Sequence, residues 1–124
     1  MGAFGAHALE VSLASRGMVD VWKTAVSYEL IHAVAVLALV AWMAALNGRS
    51  DGNAAIQRLQ VNTWLSRAAG CWLGGVGLFS GSLYVLAMGG PSWVGVVTPV
   101  GGLGLLAGWV CVAIAGWRDQ GDNW

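Results

Sequence analysis

The chain has 124 residues, 57% of them hydrophobic and 10% charged, and six basic residues balance six acidic ones to a formal net charge of zero. Ordinary globular chains carry roughly 25% charged residues, so this composition is that of a chain written for a different solvent. The zero balance excludes a basic stripe for nucleic acid and an acidic face for cations.

Met1 to Leu9 is short, apolar and glycine-rich, with neither the basic start nor the length of a secretory signal. Ala6 stands where a myristoylation motif needs Ser or Thr. The segment reads as the last two turns of a helix whose beginning is absent. Glu10 to Val19 reads as a polar connector. Asp20 is the predicted N-cap of the second segment, because its carboxylate can accept from the free amides of a first turn.

Val21 to Leu46 is that second segment. From Leu30 to Leu46 it is uncharged apart from His32, which gives roughly 25 Å of apolar helix at 1.5 Å per residue. Its first turns mix Trp22, Ala25 and Val26 with Lys23 and Glu29, so the helix is predicted to begin outside the hydrocarbon. Asn47-Gly48 should end it, with Gly48 in the left-handed conformation. Arg49 to Asn62 is a polar loop in which Ile56 and Leu59 predict a short surface helix over Ala54 to Gln60. Asn62 or Thr63 is the predicted cap of the third segment.

From Ala68 to Trp117 the chain runs fifty residues without Asp, Glu, Lys, Arg or His, broken only by the turn-forming Gly89-Gly90-Pro91-Ser92. Since about twenty apolar residues suffice for one crossing, this is a membrane hairpin. Its first arm, Trp64 to Met88, carries Gly70, Gly74, Gly77 and Gly81 on one helical face. Its second arm, Trp93 to Trp117, repeats the device with Gly101, Gly104 and Gly108, and Pro99 near its start predicts a kink. Small residues let helices approach closely in lipid, so these faces predict packing of the arms on each other, or on a second copy of the chain.

The predicted architecture is therefore an all-α membrane protein, a small helical bundle forming one transmembrane domain over 1–124. It has three full transmembrane helices, about 21–46, 64–88 and 93–117, and the remnant of a first at about 1–9. Arg49, Arg58, Arg67 and Arg118 share one side of the membrane, and Arg16 and Lys23 the other. That bias places the loop 47–63 and the C-terminus in the cytoplasm. Trp22 and Trp93 fall at the outer boundary, Trp42, Trp64 and Trp117 at the inner one, and Trp72 and Trp109 lie deeper as packing residues.

His7, Glu29 and His32 are the ionisable groups expected at membrane depth. Tyr28, Glu29 and His32 project from adjoining parts of one helical face, and His7 reaches a similar depth, so a polar site of His7, Tyr28, Glu29 and His32 is predicted. Three uses stay open. The side chains can pin helices together by hydrogen bonds. They can form a proton-accepting site or the wall of a quinone or lipid-headgroup pocket. Two histidines can also ligate haem iron from two helices. No metal site is expected: Cys71 and Cys111 each sit in an apolar run without CxxC spacing and read as small buried hydrophobes. Ser80, Ser82, Tyr84 and Thr98 are expected to bond to backbone carbonyls. Neither GxSxG nor HExxH is present, and Ser80-Gly81-Ser82 has no nearby His, so no catalytic site is predicted.

Four blocks together resemble one family. They are Gly2-Ala3-Phe4-Gly5-Ala6-His7; Trp22-Lys23-Thr24-Ala25-Val26-Ser27-Tyr28 with His32-Ala33; Leu78-Phe79-Ser80-Gly81-Ser82-Leu83-Tyr84; and Thr98-Pro99-Val100-Gly101-Gly102. In that order they resemble the bacterial membrane proteins grouped as domain of unknown function 423, similar to the eukaryotic transmembrane protein 256. The resemblance implies a four-helix, multi-pass inner-membrane protein without an established activity. It also implies a full first helix ending in the GAFGAH block, so that Met1 to Leu9 would reflect a start placed too far downstream or a truncated chain. The expected partners are the bilayer and either the protein itself or another membrane subunit. The expected role is that of a non-enzymatic packing or accessory subunit, and the competing one is a ligand or proton site at the histidines.

Overall fold

The structure, a computed structural model, describes residues 2, 7–48 and 55–120. Helix α1 spans Glu10–Ser15, α2 Val19–Asn47 and α3 Ala55–Ala87; a 3-10 turn at Ser92–Val96 then leads into α4, Val97–Gln120. No strand occurs among the described residues. Three helical stretches, Val19–Asn47, Ala55–Ala87 and Ser92–Gln120, are long and apolar enough to cross a membrane. The expected remnant at 1–9 lies largely outside the described residues.

Several boundaries differ from expectation. The connector Glu10 to Val19 folds its first half into α1, whose end is closed by Gly17 at φ 65°, with Gly17 N–H donating to Ala14 O and Met18 N–H to Leu13 O. This is the paired hydrogen-bond closure that a left-handed glycine permits. Helix α2 then begins at Val19 with Met18 before it and no side-chain cap, so Asp20 sits in the first turn instead of capping it. Gly48 does follow the last residue of α2, but at φ −77° it is right-handed.

The largest difference is at α3. The predicted surface helix and the third segment are one continuous helix of 33 residues, about 50 Å long at 1.5 Å per residue. Asn62 and Thr63 are interior to it, and neither side chain caps a helix start. Thr63 Oγ1 donates to Leu59 O, and Asn62 Nδ2 donates to Asn47 Oδ1 at 2.9 Å, tying the end of α2 to α3. At the other end of α3, Gly89 at φ 89° and Gly90 close the last turn through bonds to Leu86 O and Val85 O. Arg16 reaches across from α1 and donates to Met88 O at 2.6 Å, neutralising the carbonyl end of α3. Pro99 falls in the first turn of α4, directly after the 3-10 turn, where a proline is tolerated.

Helix α3 is central: it makes a broad interface with α4 and a narrower one with α2. One core cluster, around Leu39, Leu65, Trp72 and Leu105, joins the three spans, and a second, around Leu13, Trp22, Ala25 and Tyr84, closes the α1 end. The α4 glycines are at the contact, as the sequence predicts. A Cβ on Gly101 would meet the Phe79 backbone and Gly75 O, one on Gly104 would lie 3.3 Å from Gly75 Cα, and one on Gly108 would strike the Trp72 ring.

The α3 stripe is placed differently. Gly70, Gly74, Gly77 and Gly81 have nothing among the described residues within 4 Å of where a Cβ would stand. The α3 glycine that meets α4 is Gly75, buried under Leu105. One residue is a turn of about 100° around the axis, so the stripe faces away from α4.

The tryptophans divide likewise. Trp93 and Trp117 are exposed at the ends, and Trp64 lies beneath the guanidinium groups of Arg67 and Arg118. Trp72 is fully buried while Trp109, in ring contact with it, stays open on one side. Trp22, in the first turn of α2, is 4% exposed and packs on Tyr84, ring centroids 4.6 Å apart. Cys71 and Cys111 are half-buried free thiols that lie near each other across α3 and α4.

Candidate intramembrane polar site

Of the four residues predicted to form a polar site, Tyr28, Glu29 and His32 share one stretch of α2. His7 is exposed, and no hydrogen bond or ring contact joins it to the other three.

His32 is 5% exposed, the most deeply placed ionisable side chain of the three. Its Nδ1 lies 2.8 Å from Tyr28 O on the preceding turn. A carbonyl oxygen only accepts, so Nδ1 carries the proton. In the neutral ring Nε2 is then a lone-pair acceptor, and this buried atom has no hydrogen-bond partner among the described residues. Aromatic rings hold the imidazole in place. Trp72 and Trp109 meet it edge-on, with centroids 5.7 and 6.2 Å away, and Tyr28 stacks at 6.1 Å. Trp72 is itself anchored, its Nε1 donating to Leu105 O at 3.2 Å.

Glu29 is paired, but not with His32. Its Oε2 accepts from the Tyr84 hydroxyl of α3 at 2.5 Å. The expectation that Tyr84 bonds to a backbone carbonyl is corrected here. The phenol donates instead to the side-chain carboxyl that α2 brings to it. Ser80 follows expectation by donating to Ala25 O at 2.8 Å, and Ser82 by donating to Phe79 O. Thr98 and Ser82 also share a hydroxyl–hydroxyl bond across α3 and α4.

Two hollows open beside His32. A cleft of about 420 Å³ between α2 and α3 is lined by Glu29, His32, Val36, Leu37, Trp72 and Val76 among others. A second, of about 490 Å³, lies on the α4 side between Tyr28, Phe79, Pro99 and Trp109. Among the described residues no three His, Cys, Asp or Glu side chains gather as a metal set. The arrangement thus offers an acceptor nitrogen and a carboxylate at one end of an apolar cleft.

A family model described as a protein of unknown function, DUF423, matches residues 1–102. The chain belongs to the DUF423 family. Bacterial relatives of this DUF423 protein carry the name UPF0382 membrane protein. It is 36% identical over 115 residues to YwdK of Bacillus subtilis, covering 93% of this chain and 82% of the relative. The Haemophilus influenzae relative is 31% identical over 120 residues, covering 97% and 84%. The Escherichia coli relative, called the UPF0382 inner membrane protein YgdD, is 34% identical over 120 residues, covering 95% and 79%. No solved structure matches the chain. Sequence, spans and relatives agree on a DUF423 membrane protein of unknown function.

Proposed function

We propose that this DUF423 protein is a non-enzymatic membrane subunit that acts by helix-to-helix association, first of all with a second copy of itself. One observation carries the reading: Gly70, Gly74, Gly77 and Gly81 form a face of α3 that nothing among the described residues covers. Lipid tails gain nothing from a glycine groove, whereas another helix can approach its backbone closely and collect dispersion contacts along it. The exposed Leu73 and Leu78 flank the groove and supply the side chains that would interdigitate.

The test is native mass spectrometry of the protein in mild detergent, comparing wild type with Gly77→Leu. A homo-oligomer that becomes monomeric in the variant, at unchanged helicity, supports the reading. A complex with a different subunit that Gly77→Leu releases keeps the surface and changes its occupant. A wild-type monomer without any partner overturns it.

The same reading places the protein in a bacterial inner membrane with the loop 47–63 and the C-terminus in the cytoplasm. Its support is the count of basic residues at the two ends and the inner-membrane name of the Escherichia coli relative. A fluorescent protein fused at Trp124 should glow, and a periplasm-dependent phosphatase fused there should stay inactive; the reverse pattern inverts the orientation.

A further inference from the structure

We infer that the cleft between α2 and α3 binds a neutral, hydroxyl-bearing amphiphile of the bilayer, with its hydroxyl donating to His32 Nε2. This does not rest on the assembly reading; the cleft lies on an adjoining face of α3 and shares Leu73 with the glycine groove.

The head of the ligand is set by what the cleft lacks. With Nδ1–H committed to Tyr28 O, Nε2 presents a lone pair, and it is buried without a partner among the described residues. A buried acceptor left unsatisfied costs free energy, more so where no solvent competes for it. The second polar group of the cleft, Glu29, is also an acceptor. Oε2 receives the Tyr84 hydroxyl, and a carboxylate keeps further lone pairs to offer. Among the described residues no Lys or Arg lines the cleft. A donor therefore satisfies the site, whereas a phosphate or a carboxylate head would face Glu29 without a cation to offset it.

The tail is set by the walls. From Glu29 the cleft runs along Ala33, Val36 and Leu37 of α2 against Leu73 and Val76 of α3. The eight helical steps from Glu29 to Leu37 span about 12 Å. The mouth residues Leu37 and Leu73 are 69% and 66% exposed, so the cleft opens sideways into hydrocarbon, and its occupant arrives from the bilayer.

The experiment uses the full chain with 15N-labelled histidine in phosphatidylcholine nanodiscs, whose headgroups carry no O–H or N–H donor. The chain holds only two histidines, so exposed His7 is an internal control. At rest the His32 ring should show a protonated Nδ1 and a bare Nε2. Adding 4-decylphenol should shift the His32 Nε2 resonance saturably and leave His7 in place, while 4-decylanisole, the same molecule without its donor, should not. Dioleoylglycerol in place of the phenol tells an aliphatic from an aromatic hydroxyl, and a shift with either supports the proposal. Native mass spectrometry should then show His32→Phe retaining the effective probe about tenfold less, the equivalent of one hydrogen bond.

An Nε2 that responds to neither hydroxyl, being satisfied by water, overturns the site. An equal response to 4-decylanisole overturns the donor requirement while leaving an apolar cleft that binds. An unprotonated Nδ1 at rest removes the premise. The resonance readout is made on the wild-type chain, so a His32→Phe variant that fails to fold does not decide the matter.

Discussion

The hydroxyl of Tyr84 on α3 donates to the carboxylate of Glu29 on α2, joining residues 55 positions apart. The phenol ring also packs against Trp22 of α2, so polar and apolar contacts hold the same pair of helices at the same level. Tyr84→Phe keeps the ring and removes the donor. Loss of the bond should lower stability by about 1–3 kcal/mol, since the carboxylate stays partly buried. Glu29→Gln, whose amide oxygen can still accept, should lose less. Thermal unfolding in detergent, followed by circular dichroism, ranks the two; a Tyr84→Phe protein as stable as wild type would show that the bond contributes nothing.

The two sets of glycines should respond oppositely to added methyl groups. At Gly101 a Cβ meets the Phe79 backbone, which cannot step aside, so Gly101→Ala should cost about 1–3 kcal/mol by forcing α3 and α4 apart. Within one chain Gly74→Ala meets open space among the described residues and gains helix propensity, so in the monomer it should be neutral or stabilising by about 0.5–1 kcal/mol, while weakening the proposed contact with a second copy. Unfolding midpoints of the two variants check the contrast.

Cys71 and Cys111 should be bridged within one chain by dibromobimane, which fluoresces fully only after linking two nearby thiols. A bright band at monomer mass on a denaturing gel is the expected result. Bridging only between chains would mean that α3 pairs with the α4 of a neighbour. Either single cysteine variant should be dark.

At the α1 end, Gly89→Ala places a methyl group in a left-handed residue and against the Arg16 guanidinium. The backbone term alone is about 1–2 kcal/mol. Arg16→Ala on its own should lose the bond to Met88 O. The two losses should fall short of additive in the double variant, because each acts on the same contact. A double-mutant cycle by thermal unfolding measures the difference.

The three spans are legible in the sequence because lipid imposes a length on any crossing helix, and Leu30 to Leu46 or Ala68 to Trp117 meets it without a charge. The start of α3 is not, because Asn62 and Thr63 look like caps wherever their partners are unknown. Only the fold supplies Asn47 to Asn62, and Leu59 O suffices for Thr63. Glycine spacing reveals that α3 has a small-residue face but not which helix uses it; Gly75, one position from Gly74, is the residue α4 selects. Tyr28, Glu29 and His32 are legible as a group from their helical spacing. The Tyr84 donor is not, since which side chains meet across two helices depends on their relative rotation.

The order of synthesis gives the Glu29–Tyr84 bond a further consequence. Helix α2 leaves the ribosome first, and its carboxylate must wait for a donor 55 residues further along the chain. At 5–20 residues per second that interval is roughly 3–11 s. For those seconds the nascent α2 holds an unmatched acid and the lone imidazole of His32 beside lipid, before Trp72 and Tyr84 exist to receive them. The half-made protein therefore has to shelter these groups at the insertion machinery or keep α2 shallow, and the arrival of α3 is the event that lets it settle.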